Sequence, residues 1–221
     1  MKIEYVTAID GPSGAGKSTV ARTLAKRLGH KYIDTGAMYR AAAFEAKRQG
    51  VDIENPSELE EFLKSLTIVQ EMIGGEVITR LGKEDVTQRL RAPEMGMMAS
   101  RISAFPAVRE RLVELQRNMG KQGGVVMEGR DIGSVVFPDA DYKFYLCASA
   151  EERARRRQKE HEQRGEETDF ETLLAEIKQR DLNDSTREVA PLLLAPDALK
   201  IDSTDKDVET VVEEILRHMN V

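Results

Sequence analysis

A chain of 221 residues with 40% apolar content is long enough for one substantial core with inserted lobes. Its net charge of −6 argues against a broad basic surface for nucleic acid, and no apolar run approaches the length that crosses a bilayer. With Cys147 as the one cysteine and His30, His161 and His218 scattered, neither an internal disulfide nor a zinc site is expected.

Residues Ile3 to Ile9 are short and rich in β-branched side chains, which predicts a buried parallel strand. A strand so early leaves no room for a signal peptide, so a cytoplasmic location is expected. Next comes Gly11-Pro12-Ser13-Gly14-Ala15-Gly16-Lys17-Ser18-Thr19, which fits G-x-x-x-x-G-K-[ST]. Glycines let the backbone curl so that successive N–H groups face phosphate oxygens, Lys17 adds a mobile charge, and Ser18 is the residue type that binds Mg²⁺. Val20, Leu24 and Leu28 then recur at helical spacing, and Gly29 sits where a helix ends. The order strand, loop, helix distinguishes the motif from a glycine-rich connecting turn and names a nucleoside triphosphate as one ligand.

Strands are predicted again at Tyr32-Ile33, Val125 to Met127, Tyr142 to Leu146 and Leu199 to Ile201, with helical patterns between them. This alternation predicts an α/β three-layer fold with a central parallel sheet, whose ligands lie beyond the carboxyl ends of the strands. Leu66 to Leu90 departs from it, reading as a small antiparallel meander with turns at Gly74-Gly75 and Gly82-Lys83. So does the charged stretch Glu151 to Arg187, which reads as a helical hairpin broken at Gly165. Thr168 and Glu171 have capping-box spacing at the start of its second helix, ahead of Phe170, Leu173, Leu174 and Ile177.

Twenty of the 33 basic residues are arginine, whose planar fork grips phosphate oxygens in pairs. Asp34-Thr35-Gly36-Ala37-Met38-Tyr39-Arg40 opens a helix at one strand end, and Glu128-Gly129-Arg130-Asp131 stands at another, converging on the crevice beside the P-loop. Arg180, Asp184 and Arg187 are spaced to share one helix face. Spacing alone allows either an intrahelical ion-pair ladder or a phosphate-binding face. Arg153, Arg156 and Arg157 equally fit a solvated basic face or a lid over transferring phosphate. Ser100 and Arg109 taken singly read as a helix-packing serine and a solvated helix arginine.

The P-loop, Asp34 to Arg40, Ala99-Ser100 with Phe105 to Arg109, Gly129-Arg130-Asp131 and Arg180 to Arg187 occur in one order over the whole chain. Together they resemble the bacterial cytidylate kinases, nucleoside monophosphate kinases of the P-loop class that carry an extra meander. The resemblance implies a core at 1–39, 93–150 and 188–221, an inserted monophosphate-binding lobe at 40–92 that holds the meander, and a helical lid at 151–187. It implies transfer of the γ-phosphoryl group from MgATP to CMP or dCMP by a cytoplasmic monomer with no nucleic-acid or membrane partner. ATP would be held by the loop Gly11 to Thr19 with Arg153 and Arg157, and Mg²⁺ by Ser18. CMP would be held by Thr35, Arg40, Ser100, Arg109, Arg130, Asp131, Arg180, Asp184 and Arg187. Lys17, Arg130, Arg156 and Arg187 would stabilise the transferring group. Competing expectations are a P-loop kinase for UMP, AMP or a sugar acid, a GTPase switch, for which no Asn-Lys-x-Asp occurs, and a non-enzymatic nucleotide-binding module.

Overall fold

The structure is a computed structural model that describes residues 4–92, 94–163 and 165–220. Ile3, expected to begin the first strand, and residue 93, expected to resume the core, lie outside the described residues, as do the extreme ends of the expected core at 1–3 and 221. Five strands form a parallel sheet in the order β2 (Lys31–Asp34), β6 (Val125–Gly129), β1 (Val6–Asp10), β7 (Tyr142–Cys147) and β8 (Leu199–Asp202).

The period-two alternation of the strands builds two cores. Ala8, Ile33, Val125 and Met127 face one side, where α2 (Thr35–Gln49), α3 (Pro56–Ser65), α4 (Met95–Ile102) and α5 (Pro106–Gly120) pack. Ile9, Tyr32, Val126, Phe144, Leu146 and Ile201 face the other, covered by α1 (Lys17–Leu28) and α8 (Val208–Met219). Burial on both sides explains why these strands read as near-continuous apolar runs. The expected helix stop is present: Gly29 adopts the left-handed conformation, and its N–H reaches the carbonyls of Ala25 and Lys26.

The meander is a three-stranded antiparallel sheet, β3 (Ile68–Ile73), β4 (Glu76–Leu81) and β5 (Glu84–Asp85). Gly74 and Gly75, both at positive φ, turn the first hairpin in the way a two-residue loop demands.

The charged hairpin is α6 (Ala150–Glu162) and α7 (Phe170–Thr186). It has its own small core of Ala154, Leu173 and Ile177, with Ala150, Phe170 and Leu174 against it. Two details differ from the sequence expectation. The α7 cap is Asp169, whose carboxylate accepts the Thr172 N–H at 2.9 Å, while Thr168 instead shares a 2.7 Å hydrogen bond with the His161 ring. A carboxylate is the stronger acceptor for an exposed helix start, so the cap lies one residue later. Arg187 is not itself part of α7: the helix ends at Thr186 and Arg187 is its extended C-cap, although it lines the same cleft as Arg180 and Asp184.

Candidate active site

β1 ends in the P-loop, which closes directly onto the N-terminus of α1. Gly11 has φ 143°, and a Cβ there would lie 1.9 Å from the Leu146 carbonyl oxygen of β7, so no other residue fits. Gly16, at φ 89°, stands at the N-cap of α1 and supplies no side-chain acceptor, which leaves the first-turn N–H groups for an anion. Lys17 is only 5% exposed and donates to the Pro12 carbonyl at 2.7 Å. Burial and then Arg130 push its ammonium down to about 7, against the pull of Glu128 and Asp10.

Ser18 Oγ donates to Glu128 Oε1 at 2.5 Å, and the Tyr32 hydroxyl donates to the same oxygen at 3.0 Å. Burial, with Asp34 nearby, raises the Glu128 carboxyl above its usual range. Glu128 stood inside a motif noticed in the sequence, but its pairing with Ser18 follows from β6 lying beside β1, a neighbour relation that spacing along the chain does not carry.

The second half of the cleft is built from α2, α4, α5 and the end of β6. Asp34 caps α2 by accepting the Ala37 N–H at 2.8 Å and also pairs with Arg40 at 3.2 Å. Arg109 and Asp131, 4% exposed each, form a buried ion pair, and Tyr39 sets its ring 5.7 Å from the Arg109 guanidinium. The stack on Tyr39 is a contact the sequence reading missed. Ser100 lines the same space. Thr35 lies there too, but its hydroxyl proton is committed to the Glu128 carbonyl at 2.7 Å, where it fastens α2 to β6.

Arg130 joins the two halves. Its Nε donates to Asp184 on α7 at 2.8 Å and its Nη1 to the Gly11 carbonyl at 3.0 Å. Burial opposes both charges of this pair, yet the partnership holds Arg130 above and Asp184 below their ordinary values. The ladder between Arg180 and Asp184 is therefore replaced by a bond across the cleft. Arg180 instead donates weakly to Ser13 Oγ at 3.3 Å, and burial together with Arg130 brings it down to about 10. Arg187 donates through Nε to the Ala190 carbonyl at 2.5 Å, and burial with Arg109 lowers it as well. Arg180 Nε and Arg187 Nη2 are buried without a partner among the described residues.

The three lid arginines separate. Arg157 lines the cleft near Gly96, where a Cβ would lie 3.9 Å from its guanidinium. Arg156 also lines it, but it is bound to Glu152 at 3.0 Å and to the Ser203 carbonyl at 2.5 Å. Arg153 does not fit the expected ATP-contacting position. It is 4% exposed and spends its guanidinium on Asp181, at 3.0 and 2.5 Å, and on the Ser13 carbonyl at 3.0 Å. A buried guanidinium with these partners pins α6 to α7 and to the P-loop.

Apart from Gly11 and Pro12, whose backbone shapes the start of the P-loop, the remaining candidates share one cleft of about 840 Å³. A P-loop on a parallel sheet, facing a second pocket lined by guanidinium groups, defines a small-molecule kinase of the P-loop class. A cytidylate kinase profile matches residues 7–221. The cytidylate kinases of Pelotomaculum thermopropionicum and Caldicellulosiruptor saccharolyticus are 52% and 48% identical, over 96% and 95% of this chain and 95% and 92% of theirs. The chain belongs to the cytidylate kinase family. Its fold is also similar to that of a shikimate kinase from Bacteroides thetaiotaomicron, with a TM-score of 0.50 at 13% identity over 99% of this chain and 100% of that one.

Proposed function

We propose that the chain transfers the γ-phosphoryl group of ATP to CMP or dCMP, giving ADP and CDP or dCDP, with the cleft described above as its active site. Family membership supports CMP phosphorylation by ATP. The observation that carries the residue assignment is Arg130, which bonds the first P-loop carbonyl and Asp184 together and so stands between the two halves of one cleft. The test is ADP formation with ATP and each of CMP, dCMP, UMP, AMP and GMP, beside a control with no acceptor. Turnover that depends on CMP and greatly exceeds that with UMP is expected. A different preferred acceptor would overturn the base-reading assignments, and no acceptor dependence would overturn the kinase.

In this reading two polyanions are brought together, and fixed positive charge offsets their repulsion. Lys17 and the P-loop N–H groups hold the ATP phosphates, and Arg157 approaches them from the lid. Arg40, Arg130, Arg180 and Arg187 surround the acceptor phosphate. The orphaned Arg180 Nε and Arg187 Nη2 support this, since a buried donor without a partner fits an incoming phosphate oxygen. In-line positioning, more than covalent participation by the protein, then sets the rate.

Cytosine has an N4 amino donor beside N3 and O2 acceptors. Arg109 holds Asp131 Oδ2, which leaves Oδ1 to accept from N4, while Arg109 and Ser100 donate to N3 and O2. Uracil would bring a carbonyl against that carboxylate.

The residues present fit Mg²⁺: a hydroxyl and a buried carboxylate 2.5 Å apart at the P-loop are hard oxygen donors, and Mg²⁺ is usually completed by phosphates and water. Ser18 and Glu128 would hold it, and when bound it neutralises charge on the phosphate oxygens.

Closure of the lid at 151–187 over the core completes the proposal, supported by the separate small core of the lid; the monophosphate-binding lobe at 40–92 is proposed with it, although its helices share the main core. Action as a monomer on free nucleotides in the cytoplasm is proposed with it, and sedimentation and fractionation test that part.

A further inference from the structure

Asp131 stands at the N-cap of a single π-helical turn, Ile132–Val136. An aspartate in that position ordinarily folds back to accept the N–H groups of the turn it opens. Here it makes no such bond, and its carboxylate is aimed at Arg109 instead. Its backbone carbonyl still closes the turn by accepting from Val135 at 2.9 Å and Val136 at 3.2 Å. The open N–H groups are taken by a residue 121 positions earlier: Asp10 Oδ1 accepts from Ile132 at 2.7 Å, and Oδ2 from Gly133 at 2.8 Å.

Asp10 is the last residue of β1 and is directly followed by the P-loop. Its strand is paired with β6, with Asp10 beside Gly129, so the carboxylate reaches the turn without any movement of the chain. Both of its oxygens are used, one on each amide. Burial pushes Asp10 up to about 6, opposed by these two amides and by Lys17, so a charged carboxylate is kept here against its desolvation. A structural carboxylate alone would be an expensive way to close a five-residue turn, since a local cap would serve.

We propose that Asp10 is a positioning residue for acceptor-base selection: it caps the turn after β6 from the neighbouring strand and thereby frees Asp131 to face Arg109 and the base. The inference rests on the assignment of Asp131 to cytosine recognition. Without Asp10, the Ile132 and Gly133 amides would compete with Arg109 for the Asp131 carboxylate, which is the nearest local acceptor. Asp131 would turn inward as an ordinary cap. Selectivity for CMP would fall even though neither Asp131 nor Arg109 had been changed.

The test compares Asp10→Asn with Asp131→Ala for CMP and UMP at saturating ATP. Asparagine keeps the shape but turns one acceptor into a donor facing a donor. The expected result for Asp10→Asn is a KM for CMP raised on the order of 10-fold, a CMP-to-UMP ratio of kcat/KM that moves toward that of Asp131→Ala, and a KM for ATP that stays near wild type. A purely structural lesion would lower the active fraction and scale both acceptors alike. A wild-type ratio in Asp10→Asn, with a lowered ratio in Asp131→Ala, would overturn the role of Asp10 and leave the reading of Asp131 standing. An unchanged ratio in Asp131→Ala would remove the reading on which the proposal rests, and the proposal with it. If Asp10→Asn does not fold, amide exchange in the wild-type enzyme decides: Ile132 and Gly133 should be protected to the level of β6, and exchange at the rate of an exposed turn would overturn the cap.

Discussion

Lys17 enters the nucleotide-free cleft as a reluctant cation, and this should be measurable as a proton taken up when ATP binds. Burial and the neighbouring Arg130 bring it from 10.5 down to about 7. Near pH 8, about one in ten of its ammonium groups would then be charged. Phosphate oxygens seated against the amine reverse the balance, because an adjacent anion favours the charged form. Binding near pH 8 should therefore take up about 0.9 proton, and near pH 6 only about 0.1. Isothermal titration with a non-hydrolysable ATP analogue, without acceptor and in buffers of different ionisation enthalpy, reads this number as the slope of apparent enthalpy against buffer enthalpy. Lys17→Arg places a charge that does not titrate in this range and should collapse the slope. A slope near zero at pH 8, or an equal slope in Lys17→Arg, would refute the reasoning. The sign for stability follows the same shift: because the folded value is depressed, the contribution of Lys17 is fully present above 10.5 and is lost as pH falls through about 7.

Lys17→Ala should fold normally and lose roughly 10²-fold or more in turnover, the scale of losing one preorganised charge-stabilising group; near-normal turnover by folded protein would contradict its role. Arg153→Met should leave the KM for ATP within about 3-fold of wild type, because the side chain binds Asp181 and the Ser13 carbonyl, and it should cost about 3 kcal/mol, or roughly 6–12 °C in melting temperature. The opposite pattern, a large rise in KM with an unchanged melting temperature, would restore it to the ATP site. Gly11→Ala should fail to give the native P-loop, since its methyl would meet the Leu146 carbonyl at 1.9 Å; a folded variant with wild-type nucleotide affinity would refute the close approach.

The sheet was legible because burial on both faces leaves apolar runs, and the P-loop because its glycines and its lysine have a fixed order along the chain. β2, β6, β7 and β8 fall where Tyr32-Ile33, Val125 to Met127, Tyr142 to Leu146 and Leu199 to Ile201 predicted them. The convergence of the strand ends on the P-loop crevice was legible, but strand order was not, and the pairings that depend on it were missed: Ser18 to Glu128, Thr35 to the Glu128 carbonyl, and Asp10 to the turn after β6. Arginine presents the same difficulty in another form. Arg153, Arg156 and Arg157 lie within five residues on one helix, yet one clamps the P-loop, one grips the loop at Ser203 and one lines the cleft. Helical spacing gives the direction of a guanidinium but not the carbonyl or carboxylate that claims it.

What separates a structural cation from a waiting one is whether its donors are already satisfied. Arg153 has acceptors for its Nε and both of its terminal nitrogens, and Arg117 donates to the carbonyls of Val136 and Val135; both explain themselves within the fold. Arg180 and Arg187 do not, because each keeps a buried nitrogen with no partner among the described residues while burial, and then neighbouring guanidinium groups, hold its charge in disfavour. An unsatisfied buried donor costs about 1–3 kcal/mol, and a chain selected for stability alone would remove it by substitution or by a carboxylate. Glu128 is the converse case, a buried carboxylate beside Ser18 whose proton is held too tightly. Guanidinium donors left unfilled on one side of the cleft and a carboxyl whose burial outweighs the pull of Lys17 on the other form a pattern of charge that two phosphorylated substrates and Mg²⁺ would complete. The unrelieved charge before binding and the affinity after it are then two readings of one electrostatic quantity, which is why proton uptake at Lys17 and selectivity at Asp131 can be measured separately from the rate of the transfer itself.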